Sequence, residues 1–371
     1  MPFADQLISV ECVEALAEVF TGVAPRRGWT GTRAVAASLP GMALSERARA
    51  VRDALLDDLP AGWSASEKII TRALDDPAFT GWMIWPVTEA VASLATADGS
   101  EAAFDAGLAL LARLTPRLTG EFALRTFLNT DLDRTLAMAQ TWTRHDDAQV
   151  RRLASEGTRP RLPWAKRVPA LLARPAATQG VLDALHADPS DYVRRSVANH
   201  LNDLSRSDPA LAVTTARRWT GTATPGTADA VAGVVRHGLR TLIKQAHPDA
   251  LALLGYGAAD HLSVDGPHLH SERVTIGETL TFDATITNTA AAPVKIAVDY
   301  VVHYRKANSQ LVPRVYKLTT RNLAPGGKLA LTRGQKFVPL STRRLHPGGH
   351  ALELQVNGTR YGYTAFHLQE P

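Results

Sequence analysis

Apolar residues recur at intervals of three and four up to about residue 256 and at intervals of two from about residue 272. The first pattern predicts helices, and the alanine and leucine content of that region agrees with it. Asp188-Pro189, Asp208-Pro209 and His247-Pro248 supply helix starts, because a first-turn residue has no intrahelical N–H bond to lose. The second pattern predicts strands at 279–286, 296–302 and 352–356, with turns at Pro325-Gly326-Gly327 and Pro347-Gly348-Gly349.

Within the helical part a motif returns. Val150-Arg151-Arg152, Val193-Arg194-Arg195 and Val235-Arg236-His237 stand 43 and 42 residues apart, and the segment ending at Trp142 resembles the one ending at Trp219. That period fits helix pairs of the HEAT class, which stack into a curved solenoid and bind elongated partners along one face. About seven short strands in roughly 100 residues suit an antiparallel sandwich of immunoglobulin-like type. The expected architecture is multidomain, an all-α HEAT-like repeat solenoid over 1–258 followed by an all-β immunoglobulin-like sandwich over 262–371.

Composition narrows the classes. The 371 residues exceed what one core usually holds, and 45% hydrophobic with 21% charged residues excludes wholesale disorder. A single cysteine, Cys12, excludes an internal disulfide, a Cys-rich zinc site and a cluster held by the chain's own thiolates. The acidic N-terminal segment and the lack of a long uncharged apolar run point to a cytoplasmic protein without membrane partners. The net charge of +5 divides unevenly: residues 1–261 carry 28 Lys and Arg against 29 Asp and Glu, whereas 262–371 carry 13 against 7. Arg305, Lys306, Arg314, Lys317, Arg321, Lys328, Arg333, Lys336, Arg343 and Arg344 follow one another with no acidic residue between. A polyanion suits such a stretch; a solvated basic face is the alternative.

Helical spacing puts Arg152 and Glu156 on one face, with Gly157 placed to end the helix behind the carboxylate. Arg195, Asn199 and Asp203 are expected on a comparable face, as are Glu121 and Arg125. Each set alone reads as an ion pair on a solvated helix. Three neighbouring helices with the same arrangement read instead as a groove for phosphates with carboxylates set among the arginines. The segment 155–167 holds Arg159, Arg161, Trp164 and Lys166 in a loop behind Glu156, where arginines suit phosphates and a tryptophan suits stacking. A rigid turn with a core tryptophan is the competing reading. At least one of Trp82 and Trp85 is expected in the core. No phosphate-binding loop, dinucleotide fingerprint, nucleophile elbow or metal-ligand cluster occurs, so a mechanism without cofactor or metal is the simplest expectation.

The repeat, Trp-Pro-x-Thr-Glu at 85–89, Gly120–Arg125, the 155–164 loop and Tyr192–Asp203 together resemble the AlkC branch of the bacterial HEAT-like alkylpurine DNA glycosylases, relatives of AlkD. The likeness covers most of 40–256, and some members of that branch carry a C-terminal immunoglobulin-like domain. It implies a monofunctional glycosylase excising cationic methylated bases from double-stranded DNA, chiefly 3-methyladenine, with 1-methyladenine and 3-methylcytosine as further candidates. By the same resemblance Glu156 and Glu121 are the catalytic carboxylates, Trp164 and Asp203 meet the sugar or lesion, and Arg152 and Arg159 hold the phosphate backbone or orient the glutamates; Arg161, Arg195 and Lys166 are expected to bind DNA. It also implies a monomer associated with the bacterial nucleoid. The alternatives are an inert HEAT-repeat nucleic-acid binder and a protein scaffold.

Overall fold

The computed structural model describes residues 4–339 and 344–371; Arg343 of the basic stretch lies outside the described residues. Helices come first: α1 (Ala4–Leu7), α2 (Val10–Val23), α3 (Thr30–Ala34), α4 (Leu44–Asp58), α5 (Trp63–Ala73), α6 (Ile84–Asp98), α7 (Glu101–Leu114), α8 (Leu124–Thr130) and α9 (Leu132–Trp142). Then follow α10 (Ala148–Glu156), α11 (Pro169–Ala173), α12 (Gln179–Leu185), α13 (Asp191–Leu204), α14 (Pro209–Thr222), α15 (Ala228–Gly238), α16 (Arg240–Lys244) and α17 (Pro248–Leu253). Among the described residues no helix is long and apolar enough to cross a membrane.

Short polar side chains start these helices. Ser9, Ser100, Asp131, Asp147 and Asp208 each accept a first-turn backbone N–H, a cap that stabilises by about 1 kcal/mol. Proline opens α14 and α17 as expected, while Pro189 stands before the N-cap Ser190 of α13. Val150 and Leu153 of α10, Val193, Val197 and Leu201 of α13, and Val231, Val234 and Val235 of α15 are buried as α13 packs against α10 and α15. Val150 and Val193 are both the third residue of their helices, so the 43-residue spacing is a helix-for-helix repeat. Val235 is the eighth residue of α15, so the 42-residue spacing does not continue the structural repeat. Trp142 and Trp219 are buried near the ends of α9 and α14, in keeping with the flanking similarity.

The β region has eight strands: β1 (Leu262–Leu269), β2 (Arg273–Thr275), β3 (Thr279–Asn288), β4 (Val294–Arg305), β5 (Leu311–Leu323), β6 (Lys328–Lys336), β7 (Gly348–Val356) and β8 (Thr359–Gln369). They form a three-stranded sheet, β1-β3-β6, and a five-stranded sheet, β2-β8-β7-β4-β5. Phe282, Tyr300, Val302, Phe337, Leu352, Leu354 and Phe366 fill the core of this sandwich. β1 begins ahead of the alternation visible from 272, because Gly266-Pro267 interrupts its pattern and the pairing with β3 shifts between Asp265 and His268. β4 and β7 are buried on both faces, unlike strands with one wet side. One reason is that Leu251 and Tyr256 cover Ala297, while Gln355 and Lys295 donate hydrogen bonds to the carbonyls of Lys244 and Leu254.

The chain accordingly divides into two compact units, Met1–Ala212 with Arg218–Gly238, and Val213–Arg217 with Leu239–Pro371. The change from helix to strand falls at residue 262, whereas α16 and α17 belong to the second unit.

Candidate active site

The site grows from the last turn of α10. Asp147 caps the helix start, and Glu156 is its final residue. Gly157 follows, but with φ −66° and ψ −24° it is right-handed, so freedom for a left-handed turn is not why glycine stands there. Its role is close approach: a Cβ at 157 would lie 2.5 Å from Leu124 Cδ2. The missing side chain lets α8 press against the end of α10, which sets Glu156 beside the turn carrying Glu121.

Two arginines join three carboxylates there. Arg159 donates from Nη1 to Glu156 Oε1 at 2.6 Å, from Nε to Asp203 Oδ2 at 2.9 Å and from Nη2 to Asp203 Oδ1 at 3.3 Å. Arg152 donates from Nη1 to Glu121 Oε2 at 2.8 Å, and its Nη2 lies 3.7 Å from Glu156 Oε1. Thr119 steadies the same Glu121 oxygen at 3.1 Å. Glu156, Asp203 and Arg159 are 6%, 4% and 7% exposed, so these are paired charges largely withdrawn from water. Burial works against the positive charge of Arg152 and Arg159, yet the surrounding carboxylates overcome it and hold both more firmly protonated than usual. The five groups sum to one excess negative charge. Oε1 of Glu121 and Oε2 of Glu156 accept no hydrogen bond from the described residues, which leaves lone pairs for a water or a cation.

Several expected groupings are rearranged. Arg125 does not pair with Glu121, because Glu121 lies in the turn before α8 and not on a common helix face. Arg125 is instead buried and donates to the carbonyls of Gly157, Arg159 and Lys166 at 3.1, 2.8 and 3.0 Å, pinning the loop behind Glu156; burial lowers its pKa to about 10. Arg195 also stands apart from Asp203. Eight residues at ~100° each rotate by two turns and a further ~80°, so only Asp203 points into the cluster. Arg195 is exposed, pairs with Asp191 at 3.1 Å and lines a surface groove between α13 and α15 with Arg194, Asp229 and His237. Arg159 is not free for a phosphate, since its donors go to Glu156 and Asp203.

Trp164 is no core residue: it is 90% exposed, with φ +61°, a left-handed conformation unusual for a bulky side chain. Lys166 is exposed, and Arg161 is half-buried, donating to Ser207 Oγ at 3.3 Å. Trp85 is the core tryptophan, stacked on Phe122 at 4.6 Å with Nε1 donating to Glu89 at 3.1 Å; Trp82 is half-buried beside it. The Trp-Pro-x-Thr-Glu segment thereby backs the residue next to Glu121. Among the described residues no group of three His, Cys, Asp or Glu side chains has a metal-binding arrangement.

Two residues of the 192–203 segment hold positions that their sequence does not signal. His200 is buried, with Nδ1 2.9 Å from the Ser155 carbonyl and Nε2 3.0 Å from Thr178 Oγ1. A carbonyl only accepts, so Nδ1 carries the proton and Thr178 donates to Nε2. Burial holds this imidazole neutral, lowering its pKa to about 3. Tyr192, half-exposed, lies beneath Arg152, whose Cζ is 4.7 Å from the ring centroid. A histidine on an apolar helix face reads as core, and a lone tyrosine at a helix start carries no spacing signal.

Residues 263–370 match the family model described as "Uncharacterised protein YhaZ, C-terminal Ig-like domain". Uncharacterized protein YhaZ of Bacillus subtilis (strain 168) is 35% identical over 319 residues, 86% of this chain and 85% of that protein. Alkylpurine DNA glycosylase AlkC of Pseudomonas fluorescens, solved bound to DNA containing an abasic site analog, superposes with a TM-score of 0.88 at 32% identity, covering 99% of this chain and 100% of that one. Each of these two relatives matches over most of both partners, and the protein belongs to the AlkC-like family.

Proposed function

We propose that the protein is a monofunctional DNA glycosylase that removes cationic alkylated bases from duplex DNA, with 1–258 as the glycosylase domain and 262–371 as an accessory sandwich. The observation that carries this reading is the excess negative charge of the Glu121–Glu156–Asp203 cluster, open at Glu121 Oε1 and Glu156 Oε2. The likeness to AlkC, an alkylpurine DNA glycosylase, supports it.

A base alkylated to a cation leaves readily, so little general-acid help is required. As the glycosidic C1′–N bond breaks, its electron pair stays with the base and neutralises it, while positive charge grows on the sugar. Ionised carboxylates stabilise that charge, and one of their free oxygens takes a proton from the water whose oxygen bonds to C1′. Glu156 is assigned the main part and Glu121 the companion part. Asp203 acts beside them or through Arg159. Arg152 and Arg159 orient the carboxylates, whereas exposed Arg195 and Lys166, with Arg161, suit phosphates. Trp164, held outward by its backbone, suits packing against the sugar or lesion.

The preferred substrate is 3-methyladenine, with 1-methyladenine and 3-methylcytosine following from their shared positive charge. The basic side chains of β5 and β6 would hold further phosphates. The protein is proposed to act as a monomer in the bacterial nucleoid. Purified protein incubated with methylated duplex DNA in EDTA should release free base and leave an intact abasic strand. Absence of base release, loss of it in EDTA, or co-purifying strand cleavage would overturn the reading.

A further inference from the structure

Arg152 spans two carboxylates unequally, reaching Glu121 Oε2 at 2.8 Å and Glu156 Oε1 only at 3.7 Å. A guanidinium left to itself prefers a bidentate grip on a single carboxylate. Such a grip on Glu156 would occupy its free oxygen, and one on Glu121 would release Glu156 from its second cation. Contacts besides the carboxylates therefore help to hold the guanidinium plane between the two: Nη1 also reaches Thr119 Oγ1, at a long 3.4 Å, and an aromatic ring lies against the plane. The ring of Tyr192 lies 4.7 Å from Arg152 Cζ, on the second residue of α13, and the Tyr192 hydroxyl makes no hydrogen bond among the described residues. The contact that Tyr192 offers is thus the aromatic face, which attracts a guanidinium most strongly where water is scarce.

We propose, on the glycosylase reading above, that Tyr192 is a positioning residue: its ring fixes the plane of Arg152 and thereby keeps one oxygen of Glu121 and one of Glu156 open to water and sugar. Tyr192 acts through Arg152 and not by donating a proton. Tyr192 is 44% exposed, so its ring is covered over about half of its surface and truncation also costs some stability.

Single-turnover release of base from a methylated duplex tests this. Tyr192→Leu should lower the rate constant about 3- to 30-fold at an unchanged half-saturating DNA concentration, in protein that circular dichroism shows to be folded at the assay temperature. Tyr192→Phe, which keeps the ring, should remain within about two-fold of wild type, since the retained face supplies the same attraction. In an Arg152→Lys background, where no planar group remains to be oriented, Tyr192→Leu should cost nothing further. Tyr192→Leu at the wild-type rate, Tyr192→Phe as slow as Leu, or an equal loss in the Lys background would each overturn the proposal. A wild-type protein that releases no base defeats the glycosylase reading and this role with it, whereas those three results with an active wild type defeat the role alone.

Discussion

Helices α10 and α13 carry the same Val-Arg-Arg motif at the same position and use half of it alike. Arg151 donates from Nη1 to the carbonyls of His145 and Asp146, and Arg194 donates from Nη1 to those of Asp188 and Pro189, six and five residues upstream in both cases. The first arginine therefore ties each helix to the turn before it. The second diverges. Arg152 is drawn between Glu121 and Glu156, with its side chain 15% exposed, while Arg195 is 71% exposed and, among the described residues, pairs with Asp191 on its own helix. Repetition thus supplies a scaffold, and a site appears where the neighbouring elements differ: the turn before α8 brings Glu121, and the loop after α10 brings Arg159.

The strongest way to break this contrast is Glu156→Gln. It keeps the shape and removes the charge, so single-turnover base release should fall about 100- to 1000-fold while DNA binding is retained. Glu121→Gln should be impaired by a smaller factor, and a wild-type rate for the Glu156 variant would remove it from the mechanism. The two second arginines can then be set against each other. Arg152→Met leaves Glu121 without its ion-pair partner and should destabilise by about 3 kcal/mol in urea unfolding. Arg195→Met should change stability by less than about 1 kcal/mol, yet weaken DNA binding and lower its salt slope by about 1. Equal destabilisation by both would mean that the helices do not differ as described.

The sandwich offers a third comparison, between buried, paired arginines and cations on the surface. Arg314, Lys317, Lys328 and Lys336 are exposed and make no ion pair among the described residues. Replacing all four by glutamine in the full chain should reduce the salt dependence of DNA binding by about 0.9 for each phosphate left without its cation, and an unchanged slope would leave them as solvated charges only. Substitution is cleaner than removal of 262–371, since α17 and Tyr256 pack on β4. A comparison by pH concerns His200, which joins α13 to α10. Its folded pKa of about 3 lies below the ordinary 6.5, so the stability it contributes is complete above about pH 6.5 and is lost as pH falls toward 3. Melting temperatures of His200→Gln should show a flatter dependence across that window than wild type.

Much of this was legible in the chain itself. Periodicity separated the two architectures, and the spacing of Arg152 and Glu156 placed them on one face. The 155–164 and 192–203 segments carried the family likeness. Arg125 was illegible because its partners are backbone carbonyls, which no side-chain pattern encodes. The link from Arg159 to Asp203 joins residues 44 apart in sequence and depends on how two helices pack. Gly157 was legible as a helix end but not as the contact surface for Leu124. Arg195 does not share the face of Asp203 because an eight-residue step on a helix accumulates about 80° of rotation, twice that of a four-residue step.

The basic load of β5 and β6 has a second consequence, at the open edges of the sandwich. These strands lie at outer edges of the two sheets, where unpaired backbone groups invite a strand from another molecule. β1, another edge, is broken by Pro267 and a register shift, and β2, the fourth, is only three residues long. β5 and β6 are long enough to template a partner, and a like-charged copy approaching Arg314, Lys317, Lys328 and Lys336 is repelled before its backbone can pair. The same side chains that suit a polyanion therefore oppose edge-to-edge pairing, so weakening them for one purpose lowers the barrier to the other.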